Sequence, residues 1–125
     1  MDDTALNELA DRLFDAFVAH DLDTVEAMMA PDAVVVQNGN SMSVADARIL
    51  IEGITHVIGD HRYEEVRRVT GGDAIVEEHQ VRSTTPAGQQ LDLAACVVLR
   101  VDGDGKIVSL HEYVDTTPLA QLGET

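Results

Sequence analysis

Gln90-Leu-Asp-Leu-Ala-Ala-Cys-Val-Val-Leu-Arg-Val101 is the stretch whose reading decides the fold class of this chain. A strand points successive side chains to opposite faces. Leu91, Leu93, Ala95, Val97 and Leu99 therefore form one uninterrupted apolar row. The turn Asp102-Gly-Asp-Gly105 follows, and then a stretch of the same kind, Lys106-Ile-Val-Ser-Leu-His-Glu-Tyr-Val-Asp115. Upstream, 61–70 and 73–84 also read as strands. Their separators, Gly71-Gly72 and Pro86-Ala-Gly88, suit antiparallel hairpins. The C-terminal half is thus a run of consecutive hairpins.

The N-terminal half has a different period. Leu6, Leu9, Leu13, Phe14 and Phe17 recur at helical spacing, with Asp2 and Asp3 at the positive end of that helix. It ends near Ala19-His-Asp21. A second, short helix spans Asp23 to Ala30 and stops at Pro31. Ala33-Val-Val-Val-Gln37 reads as a strand broken by Asn38-Gly-Asn-Ser41. Ser43 caps a third helix from Val44 to about Val57, with Ile49, Leu50 and Ile54 inward and Gly59 just past its end. Pro118, after Thr116-Thr117, predicts one closing helical turn. Helices first and hairpins afterwards give an α+β domain over 1–125, with three helical segments on the concave face of a curved, cone-shaped antiparallel sheet. Such a cone has a pocket at its mouth.

Composition bounds the function. The chain has 125 residues, 45% of them hydrophobic and only 3% aromatic, so one aliphatic core is expected. The formal charge of −15 repels phosphate backbones and anionic lipid, which excludes a nucleic-acid-binding or membrane-surface role. Cys96 is the only cysteine, so no intramolecular disulfide and no cysteine-based zinc site forms; within its apolar run it reads as a small core residue. His20, His56, His61, His79 and His111 make no local metal-binding pair. No segment approaches the roughly 20 apolar residues that span a bilayer, and no signal-peptide core is visible. The expectation is a cytoplasmic protein without metal or cofactor.

Glu112 is the residue that chemistry singles out. It shares a strand face with Val108, Leu110 and Val114, whereas Ile107, Ser109, His111, Tyr113 and Asp115 take the other. A carboxylate among aliphatic side chains is costly without partners, and such groups are candidates for acid–base work. Its structural alternative is a satisfied polar cluster with Arg82 or Gln80.

This order of elements, with Gly105-Lys-Ile, Glu112-Tyr-Val-Asp115 and Leu119 at its end, resembles the nuclear transport factor 2-like superfamily. The similarity is closest to its SnoaL-like polyketide cyclase and limonene-epoxide hydrolase branches. In the hydrolases a Tyr-Gln-Asn stretch helps to hold the attacking water; Val36-Gln37-Asn38 retains the asparagine and lacks the tyrosine. Counting back from Pro86-Ala-Gly88 puts Glu78 and Gln80 at the hydrolase Arg-x-Asp pair, and the final aspartate falls at Glu112. The orienting cation is missing, so epoxide hydrolysis by that mechanism is not implied. The resemblance also turns Glu78, Gln80 and Arg82 into the cone, with Leu91, Leu93, Ala95, Val97, Leu110, Glu112 and Val114.

The resulting expectation is a protein that binds a small hydrophobic molecule, as a cofactor-free isomerase or cyclase with Glu112 and Glu78 as acid–base groups. Asn38, Gln80 or Tyr63 donates to a developing oxyanion, and Arg82, Leu93, Ala95, Leu110 and Val114 complete the ligand site. His61 lies near the pocket mouth beside Tyr63. The alternative is a non-catalytic binding or assembly module of the same fold. Ile75, Val81, Ile107 and Tyr113, mixed with His79, His111 and Asp115, read as the outer sheet face. That face predicts a homodimer, as is common in the resembled superfamily.

Overall fold

The computed structural model describes residues 1–122. Helix α1 (Asp3–Val18) starts where the Asp2 carboxylate accepts the Ala5 amide at 2.8 Å, and α2 (Leu22–Met28) where Asp21 does the same for Thr24 at 3.1 Å. Strand β1 (Met29–Gln37) follows without a linker, and α2 is two residues shorter at its C-terminal end than the sequence suggests. Pro31 disfavours helical backbone just before it, and Met29 is recruited to the sheet opposite Ile107. A further strand, β2 (Asn40–Ser43), was not expected. Asn38 (φ 47°) and Gly39 (φ 84°) form the two-residue left-handed turn that joins β1 to β2, the geometry for which Asn-Gly is suited.

Helix α3 (Val44–Ile58) is capped by Ser43 and ends at Gly59. Strands β3 (His61–Gly71), β4 (Ala74–Thr84), β5 (Gln90–Val101) and β6 (Ile107–Val114) then run as antiparallel neighbours, before α4 (Thr117–Gln121). The six-stranded sheet has the order β2-β1-β6-β5-β4-β3 and is curved but not closed. Its single parallel pair is β1 with β6. The α+β class and the N-terminal helices are as the sequence implies.

The core lies between α1 and the sheet. Leu6, Leu9 and Leu13 are fully buried against Ile75, Leu99 and Ile107. A smaller cluster joins Ile58, Leu91 and Leu93 under Ile54, Val81 and Val114. Ile54 and Leu50 of α3 line the cavity, although Leu50 remains 38% exposed, and Ile49 is 68% exposed.

The facing of β4 is opposite to the expectation. Val97 pairs with Glu77, Ala95 with His79 and Leu93 with Val81. Directly opposed residues share a face, so the apolar row of β5 brings Ile75, Glu77, His79 and Val81 inside. Glu77 and His79 are 1% and 3% exposed. Glu78, Gln80 and Arg82 consequently lie on the outer face. Cys96, between Glu78 and Tyr113, is there too and is not a core residue. Ile107 also moves: a register shift between Arg100 and Val101 lets both Ile107 and Leu110 point inward. Tyr113, 53% exposed, stays outside with His111.

Candidate functional site

A cavity of about 210 Å³ lies between the helices and the inner face of the sheet. Its walls are mostly apolar: Phe14 and Phe17 from α1, Leu50 and Ile54 from α3, and Leu93 and Leu110 from the sheet. Few polar side chains enter it, and they come from several elements. Gln37 ends β1, His61 and Tyr63 begin β3, Glu112 sits on β6, and Arg48 with Glu26 occupies the rim.

Glu112 lines the cavity on the face that alternation assigns to it. Its partner is neither Arg82 nor Gln80. The Gln37 amide Nε2 donates to Glu112 Oε1 at 2.8 Å, across the parallel β1–β6 pair in which the two residues are opposed. Among the described residues no cation pairs with this carboxylate. Tyr63 has its ionisation pushed far up by burial and, next, by the negative charges of Glu112 and Glu77. Its hydroxyl therefore keeps its proton and remains a donor. His61, half-buried, has its pKa lowered from 6.5 by burial first, then by His20 and His79, so the neutral ring is favoured. It packs edge-on to Tyr63 with ring centroids 4.9 Å apart.

Leu93, Leu110 and Val114 line the cavity as expected, and Ala95 is buried on the same inner face. The other candidates do not converge. Asn38 is exposed at the β1–β2 turn, and its side chain forms a clasp: Nδ2 donates to the Val114 carbonyl at 3.0 Å, and Oδ1 accepts the Val114 amide at 2.9 Å. Glu78 faces solvent beside Arg67, 3.7 Å away. Arg82 is tied to Glu64, Glu65 and Asp92 on the outer surface. Gln80 lies between them on the same outer row.

In place of those groups, β4 turns a buried ionic chain inward. Arg68 Nε donates to Glu77 Oε1 at 2.8 Å, and Glu77 Oε2 lies 2.6 Å from His79 Nδ1. Arg68 also reaches α1, where it donates to the Asn7 carbonyl at 3.1 Å and to Asp11 at 2.9 Å. The chain ends under the aromatic wall, with the His79 ring centroid 4.3 Å from that of Tyr63 and 5.3 Å from that of Phe14. Sequence reasoning missed Glu77 and His79 as inward groups. The signal that finds them is the parity of the β4–β5 hairpin.

Residues 10–110 match the sequence profile of the SnoaL-like domain family. No curated protein matches the chain. Among solved structures, AclR, a candidate hydroxylase from Streptomyces galilaeus, is 25% identical with a TM-score of 0.83, over 95% of this chain and 96% of its own. A loop-truncation variant of IdmH is 26% identical with a TM-score of 0.81, over 94% and 98%. A candidate SnoaL-like polyketide cyclase from Shewanella denitrificans shares the fold at 14% identity, with a TM-score of 0.78 over 95% and 97%.

Proposed function

Because the chain belongs to the SnoaL-like domain family, we propose that its cavity takes a small, largely apolar, carbonyl-bearing molecule and moves a proton on it without a cofactor. One observation carries this reading: Glu112 lies in an apolar pocket, oriented by a neutral amide and with no counter-cation among the described residues. A carboxylate so placed is not engaged by a cation and is available to take a proton from a bound molecule. Gln37 fixes one oxygen and leaves the other to face a ligand. Tyr63 supplies the complementary group, a phenol held protonated that donates to the oxygen of a forming enolate. The proton passes from the carbon next to the carbonyl to Glu112 and returns to another position of the same molecule. That is the elementary step of a cofactor-free isomerase or of an aldol-type cyclase.

The test uses a neutral bicyclic ketone, 2-tetralone, in deuterated buffer. Exchange of its α-hydrogens, followed by proton NMR, reports proton abstraction directly. The protein should accelerate exchange, and Glu112→Gln should lower the accelerated rate by about a hundredfold or more while changing ketone affinity far less. Binding without any acceleration would leave a non-catalytic ligand-binding module and remove the enzyme.

The outer face supports a homodimer as part of this reading. Val76, Val98, Cys96 and Tyr113 form an apolar strip across β4, β5 and β6, bordered by the Arg67–Glu78 and Arg82–Asp92 pairs. An apolar centre with a charged rim is the composition of a specific interface.

A further inference from the structure

We propose that Nε2 of His79 is a second polar subsite of the cavity, an acceptor for a hydrogen-bond donor carried by the ligand at the end remote from Glu112. The inference rests on the reading that the cavity takes a small apolar molecule, and it adds what that molecule carries.

The buried chain on β4 is satisfied everywhere except at its inner end. Arg68 bonds to Asn7, Asp11 and Glu77, and Glu77 accepts from His79 Nδ1 at 2.6 Å. That bond fixes both the orientation and the tautomer of the ring. In the neutral imidazole the proton sits on Nδ1, and Nε2 presents a lone pair. Nε2 is buried and has no hydrogen-bond partner among the described residues. A buried acceptor left unpaired is costly, and that cost is recovered when a donor arrives. A role confined to stability needs no such atom, since Arg68 already joins α1 to the sheet through Asn7 and Asp11.

Position points the same way. His79 is one side chain below the cavity surface, covered by Phe14 and Tyr63, both of which line it. Its partner on β5 is Ala95, whose small side chain leaves the row open towards Val114, another lining residue. Glu112 is two strands away and two residues along, because Glu112 opposes Val97 and Val97 opposes Glu77. In a flat sheet that diagonal is about 12 Å between backbones, and inward side chains on a concave surface shorten it. A two-ring molecule spans the remainder. The ligand class is therefore a neutral bicyclic compound with one polar group for Glu112 and a hydroxyl or N–H for His79.

The experiment uses naphthalene, 2-naphthol and 2,6-dihydroxynaphthalene as probes with protein labelled with ¹⁵N in its histidine rings, at pH 8. The diol should shift the His79 Nε2 resonance upfield, the direction for a lone pair that gains a hydrogen bond, and naphthalene should not. The second hydroxyl should tighten binding about fivefold over 2-naphthol, and His79→Phe should abolish that factor while sparing 2-naphthol. A Nε2 resonance unmoved at saturating diol overturns the subsite, whatever the variant does. If 2-naphthol still binds in that case, and Glu112→Gln weakens it, the cavity reading survives alone. If none of the three probes binds, both readings fall.

Discussion

Replacing Arg68 with methionine tests the buried chain most directly. The substitution keeps the aliphatic stem and removes the guanidinium. Glu77, whose side chain is 2% exposed, is left with His79 as its partner among the described residues, because the Arg68 contacts at 2.7 and 2.8 Å disappear. Breaking a buried pair from one side costs about 3–5 kcal/mol, since the surviving charge is uncompensated. Arg68 is itself 15% exposed, so water entering at its position favours the lower end, about 3 kcal/mol. Urea denaturation at fixed protein concentration reads this as a fall in midpoint of about 1–3 M, for a slope of about 1–3 kcal/mol/M. Glu77→Gln should cost less, because Arg68 lies at the edge and still has Asp11 at 2.9 Å. The double variant Arg68→Met/Glu77→Gln should recover more than 1 kcal/mol of the single Arg68 loss, a coupling expected of groups in one network. An Arg68→Met protein within about 1 kcal/mol of the parent, or a double variant with additive losses, would refute the ionic chain as described.

Gly59 has φ 73° and ψ −161°, a region nearly confined to glycine, and a β-carbon there would meet the Thr84 carbonyl oxygen at 2.9 Å. Gly59→Ala should therefore destabilise by about 1–3 kcal/mol in thermal or urea unfolding, and a neutral result would contradict this end of α3. The folded state holds the His61 pKa below its ordinary 6.5, chiefly through burial, so folding binds fewer protons than the unfolded chain does. Its contribution is complete above the unfolded pKa and is lost as pH falls through and below about 6.5; His61→Phe should flatten stability between about pH 7 and 5.5, and an unchanged profile would argue against it. Sedimentation at micromolar concentration should give about twice the chain mass, with Tyr113→Glu shifting the population to monomer; a concentration-independent monomer would exclude the outer-face dimer.

Much of the fold is legible in the sequence because its signals are local. The apolar row Leu91 to Leu99 fixes the inner face of β5, and alternation alone brings Glu112 and Val114 onto that face. The β4 facing was missed by one residue, and a one-residue slip inverts a whole strand. The loop Thr85 to Gln89 closes the pairing Thr84 with Gln90, which sets odd residues opposite odd ones. Ile75 and Val81 carry that parity in the sequence, but Glu77 and His79 between them disguise it as a polar outer face. Their burial is tolerable only because Arg68 arrives from β3 and α1 supplies Asn7 and Asp11, which no local pattern announces. Ile107 was misplaced for a related reason, since a bulge is invisible to strict alternation. The strand β2 was legible in principle, from Asn38-Gly39 as a hairpin turn.

The distribution of cations narrows what the cavity accepts. The chain has 8 lysine and arginine side chains against 23 carboxylates. Arg62, Arg67 and Arg82 are engaged with acids along the sheet, Arg68 is consumed by Glu77 and Asp11, and Lys106 donates to the Ala27 carbonyl. Arg48 alone among these basic side chains lines the cavity. It faces Asp23 at 2.7 Å, Glu52 at 3.1 Å and Glu26 at 3.4 Å. Three carboxylates around one guanidinium leave that rim negative, and an incoming carboxylate or phosphate would have to compete with all of them. Deeper inside, Glu112 repels an anion, and the net charge of −15 opposes its approach from solvent. A neutral ligand meets none of these barriers. Its apolar body is received by the aliphatic and phenyl walls, and its polar groups find a carboxylate acceptor in Glu112 and a phenol donor in Tyr63. Converting Glu112 to glutamine removes the innermost negative charge and should bring an anionic analogue, 2-naphthoate, into measurable binding; if the parent protein already binds 2-naphthoate as tightly as 2-naphthol, the electrostatic exclusion is wrong.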